Sequence, residues 1–160
     1  MAERIAGASV WEQELYDYVA SHIGQEQAIV EEYRALAESG SSVAFRYLAG
    51  LILDDEVRHH RLMRDLAESI KASAELTGAS EPIPDLRDIG SEGEQALALT
   101  ERFVQIERDD LEYLQRLAKT LKPVRDTTLW SLVVELMEDD TRKHIRILRF
   151  IEERLRNPIR

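Results

Sequence analysis

The segment LILDDEVRHHRLMRDL (51–66) returns in altered form as LMEDDTRKHIRILRFI (136–151). Laid over each other without gaps, Asp55 falls on Asp140, His59 on His144, Arg61 on Arg146 and Glu56 on Thr141. The helices that precede them match less closely but in the same sense, with Glu26 on Glu107, Tyr33 on Leu114, and Leu36-Ala37 on Leu117-Ala118. A repeat shows which positions are structural equivalents. Here the equivalents are ionisable groups set in the middle of apolar stripes.

The stripes have the period of a helix. Leu48, Ile52, Asp55, Glu56, His59, Leu62, Met63 and Leu66 recur at spacings of three and four, so they share one face. Val19, His22, Ile23, Glu26, Ile29, Val30, Tyr33, Leu36 and Ala37 form a second such face. A third runs through Leu99 or Thr100, Phe103, Val104, Glu107, Asp110, Leu111, Leu114 and Leu117. A fourth runs through Leu129, Val133, Met137, Asp140, Thr141, His144, Ile147, Leu148 and Ile151.

Punctuation sets the helix ends. Residues 1–8 read as a loose lead-in, and Ser9 with Glu12 fits a capping box. Ser39-Gly40-Ser41-Ser42 is a short turn that sends the second helix back along the first. ELTGASEPIPDLRDIGSE (75–92), with two prolines and two glycines, breaks any helix and is the one long connection. Lys122-Pro123-Val124-Arg125-Asp126 is a second short turn, with Asp126 as the expected N-cap. No strand-like alternation persists. The expectation is an all-α single domain over 1–160, an antiparallel four-helix bundle with helices at about 9–38, 42–74, 92–121 and 127–156 and a crossover between the second and third.

Composition narrows the function. The chain has 160 residues and a formal net charge of −10, which disfavours nucleic acid or an anionic membrane surface as partner. With no cysteine, disulfides, thiolate zinc sites, iron–sulfur clusters and cysteine catalysis are excluded. No apolar stretch approaches the roughly 18–20 residues of a membrane span, and no signal peptide is evident. A soluble cytoplasmic protein is expected.

A carboxylate and an imidazole on the inner face of a helix are costly unless something binds them. Four helices bring Glu26, Glu56 with His59, Glu107, and His144 to one level. Mixed carboxylate and imidazole donors suit iron, manganese or zinc better than calcium or magnesium. Two metals about 3.5–4 Å apart can be held by such a set. Asp55 and Asp140, one residue before the Glu position, are placed to accept the free ring N–H of a histidine on a neighbouring helix, Asp55 that of His144 and Asp140 that of His59.

At this point the chain resembles the ferritin-like superfamily, to which bacterioferritins and rubrerythrins belong. The resemblance covers nearly the whole chain. Its motif is Glu on the first helix, Glu-x-x-His on the second, Glu on the third and Glu-x-x-His on the fourth. The stretch EQAIVEEY, with Tyr33 seven residues after Glu26, and the stretch Asp55-Glu56-Val57-Arg58-His59 carry it. The resemblance implies two iron ions, manganese or zinc being the substitutes, in a site that reacts with dioxygen or peroxide as an oxidase, peroxidase or ferroxidase. It implies a homodimer or larger homo-oligomer. The departure is Thr141, where the family pattern has a bridging Glu. Glu26 and His59 would then hold one ion, Glu107 and His144 the other, with Glu56 the single bridge. Asp110, one turn after Glu107, is the substitute carboxylate if it points inward.

Plainer readings stand beside these. Glu56 and His59 alone fit a salt bridge with Arg58 or Arg146, Tyr33 a core residue, His22 a partly buried polar group, and His60 a solvated flank. Of Glu138-Asp139-Asp140, two are ordinary surface charge. Thr141 also motivates a second function, a ferritin-like bundle holding one metal or none and serving as a structural or interaction module.

Overall fold

The computed structural model describes residues 4–75, 82–84, 86, 89 and 93–158, the side chain of Glu26 excepted. All regular structure among them is helical: α1 Val10–Ser39, α2 Val43–Glu75, α3 Gly93–Thr120 and α4 Trp130–Arg156, with a 3₁₀ turn at Lys122–Val124 before α4. No helix is long and apolar enough to cross a membrane among the described residues. The chain divides into two compact units, Met1–Pro84 and Asp85–Arg160. Each holds one pair of packed helices. Most of the long connection, residues 76–81, 85, 87, 88 and 90–92, lies outside the described residues.

In the first unit α1 begins where the sequence signals it. The Ser9 hydroxyl accepts from the Glu12 N–H at 3.3 Å, and the Glu12 carboxylate accepts from the Ser9 N–H at 2.7 Å. Hydrogen bonding from Ser9 also holds the Glu12 carboxyl below its ordinary range. The helix ends as the Gly40 N–H donates to Leu36 O at 3.0 Å, and the Arg46 guanidinium donates to Gly40 O at 2.6 Å. A Cβ at position 40 would lie 2.9 Å from Leu36 O and 3.1 Å from both Arg46 Cγ and Phe45 Cδ1, so this turn closes only over glycine.

The stretch ahead of α1 is not a loose lead-in over its described part. Ile5 is buried, and its N–H donates to Gln13 Oε1 at 3.0 Å. Gly7 has φ +83°, a left-handed conformation open to glycine, and a Cβ there would sit 3.1 Å from Ala74 O near the end of α2. Removing Ile5 from water is the physical reason for the order. The start of α1 thus meets the end of α2, and the pair is antiparallel. Past α2, the Ile83 N–H donates to the buried Ser69 hydroxyl at 3.0 Å.

The seam of α2 runs through Ala49, Leu53, Glu56, His60, Met63, Ala67, Ile70 and Ala74, in steps alternating between four and three. It overlaps the expected stripe but is rotated from it. Ile52 and Leu62, expected inward, are open to solvent. On α1, Val19 and Val30 are buried, with Ile23, Tyr33 and Ala37 half-buried.

In the second unit Thr100, Val104 and Leu114 are buried on α3, and Ser131, Val134, Glu138, Thr141 and Glu152 on α4. Leu114 is 2 % exposed, and its burial contributes about 2 kcal/mol. Arg156, in the last turn of α4, donates to Glu101 near the start of α3 at 2.6 Å, so this pair is antiparallel too. Asp126 does not cap α4. The hydroxyls of Thr127 and Thr128 donate to Val124 O at 3.2 and 3.1 Å, extending the turn, and α4 starts from Leu129 with no side-chain cap. Phe103, Met137 and Ile147, expected inward, are open to solvent. A stripe of this width exceeds what one neighbouring helix covers.

Candidate metal-binding half-sites

Each unit brings one glutamate and one histidine together. On α3 and α4, His144 Nδ1 lies 3.3 Å from Glu107 Oε2. The glutamate side chain is 26 % exposed and the histidine 50 %. They line an open pocket of about 290 Å³ with Phe103, Ile147 and Leu148. Phe103 stands one turn before Glu107, and Ile147 and Leu148 one turn after His144, so helix periodicity alone builds an apolar wall around the pair. In the first unit, Glu56 Oε1 and His59 Nδ1 are 3.9 Å apart on α2, with side-chain exposures of 25 % and 49 %. That is an ion-pair distance, too long for a hydrogen bond. The two repeat-related histidines thus have nearly equal exposure.

The partners of these acids set them apart. Glu138 is held by Arg142 at 2.7 Å. Glu152 is held by Arg149 at 2.5 Å and Arg156 at 2.9 Å. The hydrogen bond from Arg149 keeps the Glu152 carboxyl below its usual range, outweighing its partial desolvation, with Arg156 acting in the same direction. Among the described residues neither Glu56 nor Glu107 meets a lysine or arginine; each has only an imidazole.

The remaining candidates fall as follows. Glu26 lies on α1, and its side chain is outside the described residues. Asp55 accepts from Arg58 at 2.7 Å, and Asp140 is paired with Lys143, so each meets a cation one turn on along its own helix. Tyr33 is half-buried and Asp110 is exposed. Thr141 is only 5 % exposed, within the buried set of α4 that also contains Glu138 one turn earlier. A glutamate there would set a second carboxylate beside Glu138, which accounts for a small uncharged side chain. Glu138 is itself buried, whereas Asp139 and Asp140 are exposed.

His60, expected on a solvated flank, lies elsewhere. It is half-buried in the α2 seam, one turn after Glu56, and its Nδ1 has no hydrogen-bond partner among the described residues. The signal was available: Ala49, Leu53, Glu56, His60, Met63 and Ala67 form a regular four–three alternation.

Carboxylate oxygen and imidazole nitrogen are the donors that iron, manganese and zinc accept. Each half-site offers two. Among the described residues no group of three or more His, Asp or Glu side chains could hold a metal ion. Only Glu107 and His144 are within hydrogen-bond reach, and either pair can hold a cation once further donors join it. No family model, curated protein or solved structure matches the chain.

Proposed function

We propose that this chain is a ferritin-like metal-binding protein with oxidase, peroxidase or ferroxidase-type chemistry. The observation that carries the reading is the 3.3 Å approach of His144 to Glu107 across α3 and α4, in an apolar-walled pocket where the acid has no basic partner among the described residues. The Glu56–His59 pair supplies the matching half-site on α2. The reading requires the two half-sites to share their ions, in the antiparallel four-helix bundle expected from the repeat.

The ligands are Glu26, Glu56, His59, Glu107 and His144. Three carboxylates against two divalent ions leave one positive charge uncompensated, because position 141 is a threonine. When bound, iron supplies one-electron redox and Lewis-acid chemistry toward dioxygen or peroxide. The chain's own part is to hold the imidazoles and carboxylates in place, with Phe103, Ile147 and Leu148 as the apolar lining beside Glu107 and His144.

The test is metal stoichiometry. Anaerobic Fe(II), Mn(II) and Zn(II) titrations followed by elemental analysis should show tight uptake of one or two ions per chain. Both the Glu107→Ala, His144→Ala double variant and the Glu56→Ala, His59→Ala double variant should lose it. Wild-type protein that retains none of the three metals overturns the reading.

Thr141 and the two-donor half-sites favour a second reading, a structural or interaction module without metal chemistry. Under it, alanine at Glu56 and His59 leaves melting behaviour the same with or without added metal.

A further inference from the structure

A second pocket, of about 330 Å³, lies where α3 ends and α4 begins. It shares no lining residue with the pocket at Glu107 and His144, and the proposed metal chemistry does not use it. Its lining includes Lys119, Lys122, Arg125, Ser131, Glu135 and Glu138. The acids are already engaged. Glu138 is paired with Arg142 at 2.7 Å, and Glu135 with Arg125 at 3.7 Å. Lys119 and Lys122 have no ion-pair partner among the described residues, so the pocket carries two uncompensated ammonium groups in a protein of net charge −10.

Two further observations point at an absent acceptor-rich group. Ser131, in the first turn of α4, is 7 % exposed, and its hydroxyl is buried with no hydrogen-bond partner among the described residues. A buried hydroxyl without a partner is uncommon, and one lining a pocket is a donor awaiting an acceptor. In addition, α4 opens from Leu129 without a side-chain cap. The Trp130 N–H donates to Thr128 Oγ1 at 3.4 Å, and the rest of the first turn has no side-chain cap from Leu129.

We propose that this pocket binds the phosphate group of inorganic phosphate or of a small phosphomonoester. Lys119 and Lys122 supply charge, the Ser131 hydroxyl donates a hydrogen bond, and the start of α4 adds its dipole. The volume is at the small end of ligand sites, which suits a compact metabolite rather than a nucleic acid.

Isothermal titration of the full chain in physiological potassium chloride tests this, with inorganic phosphate in one arm and glycerol phosphate in the other. Saturable binding at one equivalent is expected for at least one of them. Tighter binding of the ester identifies an esterified ligand, and tighter binding of inorganic phosphate a free anion. Lys119→Gln with Lys122→Gln should weaken binding at least tenfold. Ser131→Ala should weaken it several-fold while leaving the melting temperature unchanged or higher, since it removes an unpartnered hydroxyl. Lys143→Gln, on another part of α4, should leave binding as it is. No saturable binding in either arm, or binding indifferent to the lysine and serine changes, overturns the proposal. So does binding that the Lys143→Gln change weakens as much as the double lysine change.

Discussion

Thr141 is the residue on which the chemistry turns, and its burial gives it a measurable consequence. A carboxylate introduced at a position 5 % exposed, one turn after the buried Glu138, is desolvated and faces a like charge. Thr141→Glu should therefore destabilise the metal-free protein by about 2 kcal/mol or more, read in urea melts. Glu152 makes a prediction of opposite sense. Its carboxyl is held below the ordinary range, chiefly by Arg149. A depressed folded pKa contributes stability that is present above the unfolded value of 4.5 and is lost as pH falls through the folded value. Glu152→Gln should lower stability at neutral pH and give a shallower loss below about pH 4.5 than the wild type shows. At this scale the sequence was legible in part. The repeat marks Glu107 and His144 as inward ionisable positions, and their side chains lie 3.3 Å apart. The stripe drawn through Glu56 and His59 leaves His60 on the flank, because two overlapping stripes pass through α2, and packing selects the one through His60 as the seam.

Helix ends were legible wherever a side chain makes the cap. Ser9 with Glu12 and the close-packed Gly40 mark the limits of α1 in the sequence and in the structure alike. The start of α4 was not, because Thr127 and Thr128 extend the turn through Val124 O, and the helix begins three residues later than Asp126 suggests. The order of the stretch ahead of α1 leaves no periodic trace in the sequence, because a single buried isoleucine and a left-handed glycine produce it. Packing between α3 and α4 rests heavily on Leu114, the most buried large side chain. Leu114→Ala should cost about 2–5 kcal/mol, with a lower urea midpoint and an unchanged slope.

Across the whole chain, all-helical character followed from local periodicity, and so did each antiparallel pair, because its connection is short. A four-helix bundle is an expectation from the sequence, resting on the repeat and on stripes wider than a single seam requires. Residues such as Ile52, Leu62, Phe103 and Ile147 remain open to solvent. Metal binding, under the proposed function, is a whole-molecule test, since a ligand that binds only the folded state raises its stability with the logarithm of its free concentration over Kd. At free Zn(II) about a hundredfold above Kd, the gain is about 2.7 kcal/mol. For a chain of this size that corresponds to a rise in Tm of about 5–10 °C. Glu107→Ala should abolish the rise while leaving the metal-free Tm within a few degrees.

The tight Gly40 turn also bears on how fast the first unit forms. Only residues 40–42 separate α1 from α2, and the Arg46 guanidinium clasps Gly40 O from within the first turn of α2. Closing so short a loop is a sub-microsecond event, so reversal of the chain here can precede most side-chain packing. Contacts between neighbouring helices favour rapid folding. If the reversal belongs to the nucleus, Gly40→Ala will slow refolding and leave the unfolding limb of the chevron nearly in place. Stopped-flow measurements across a urea series would separate the two limbs, and with them the initiating turn from the packing that follows it.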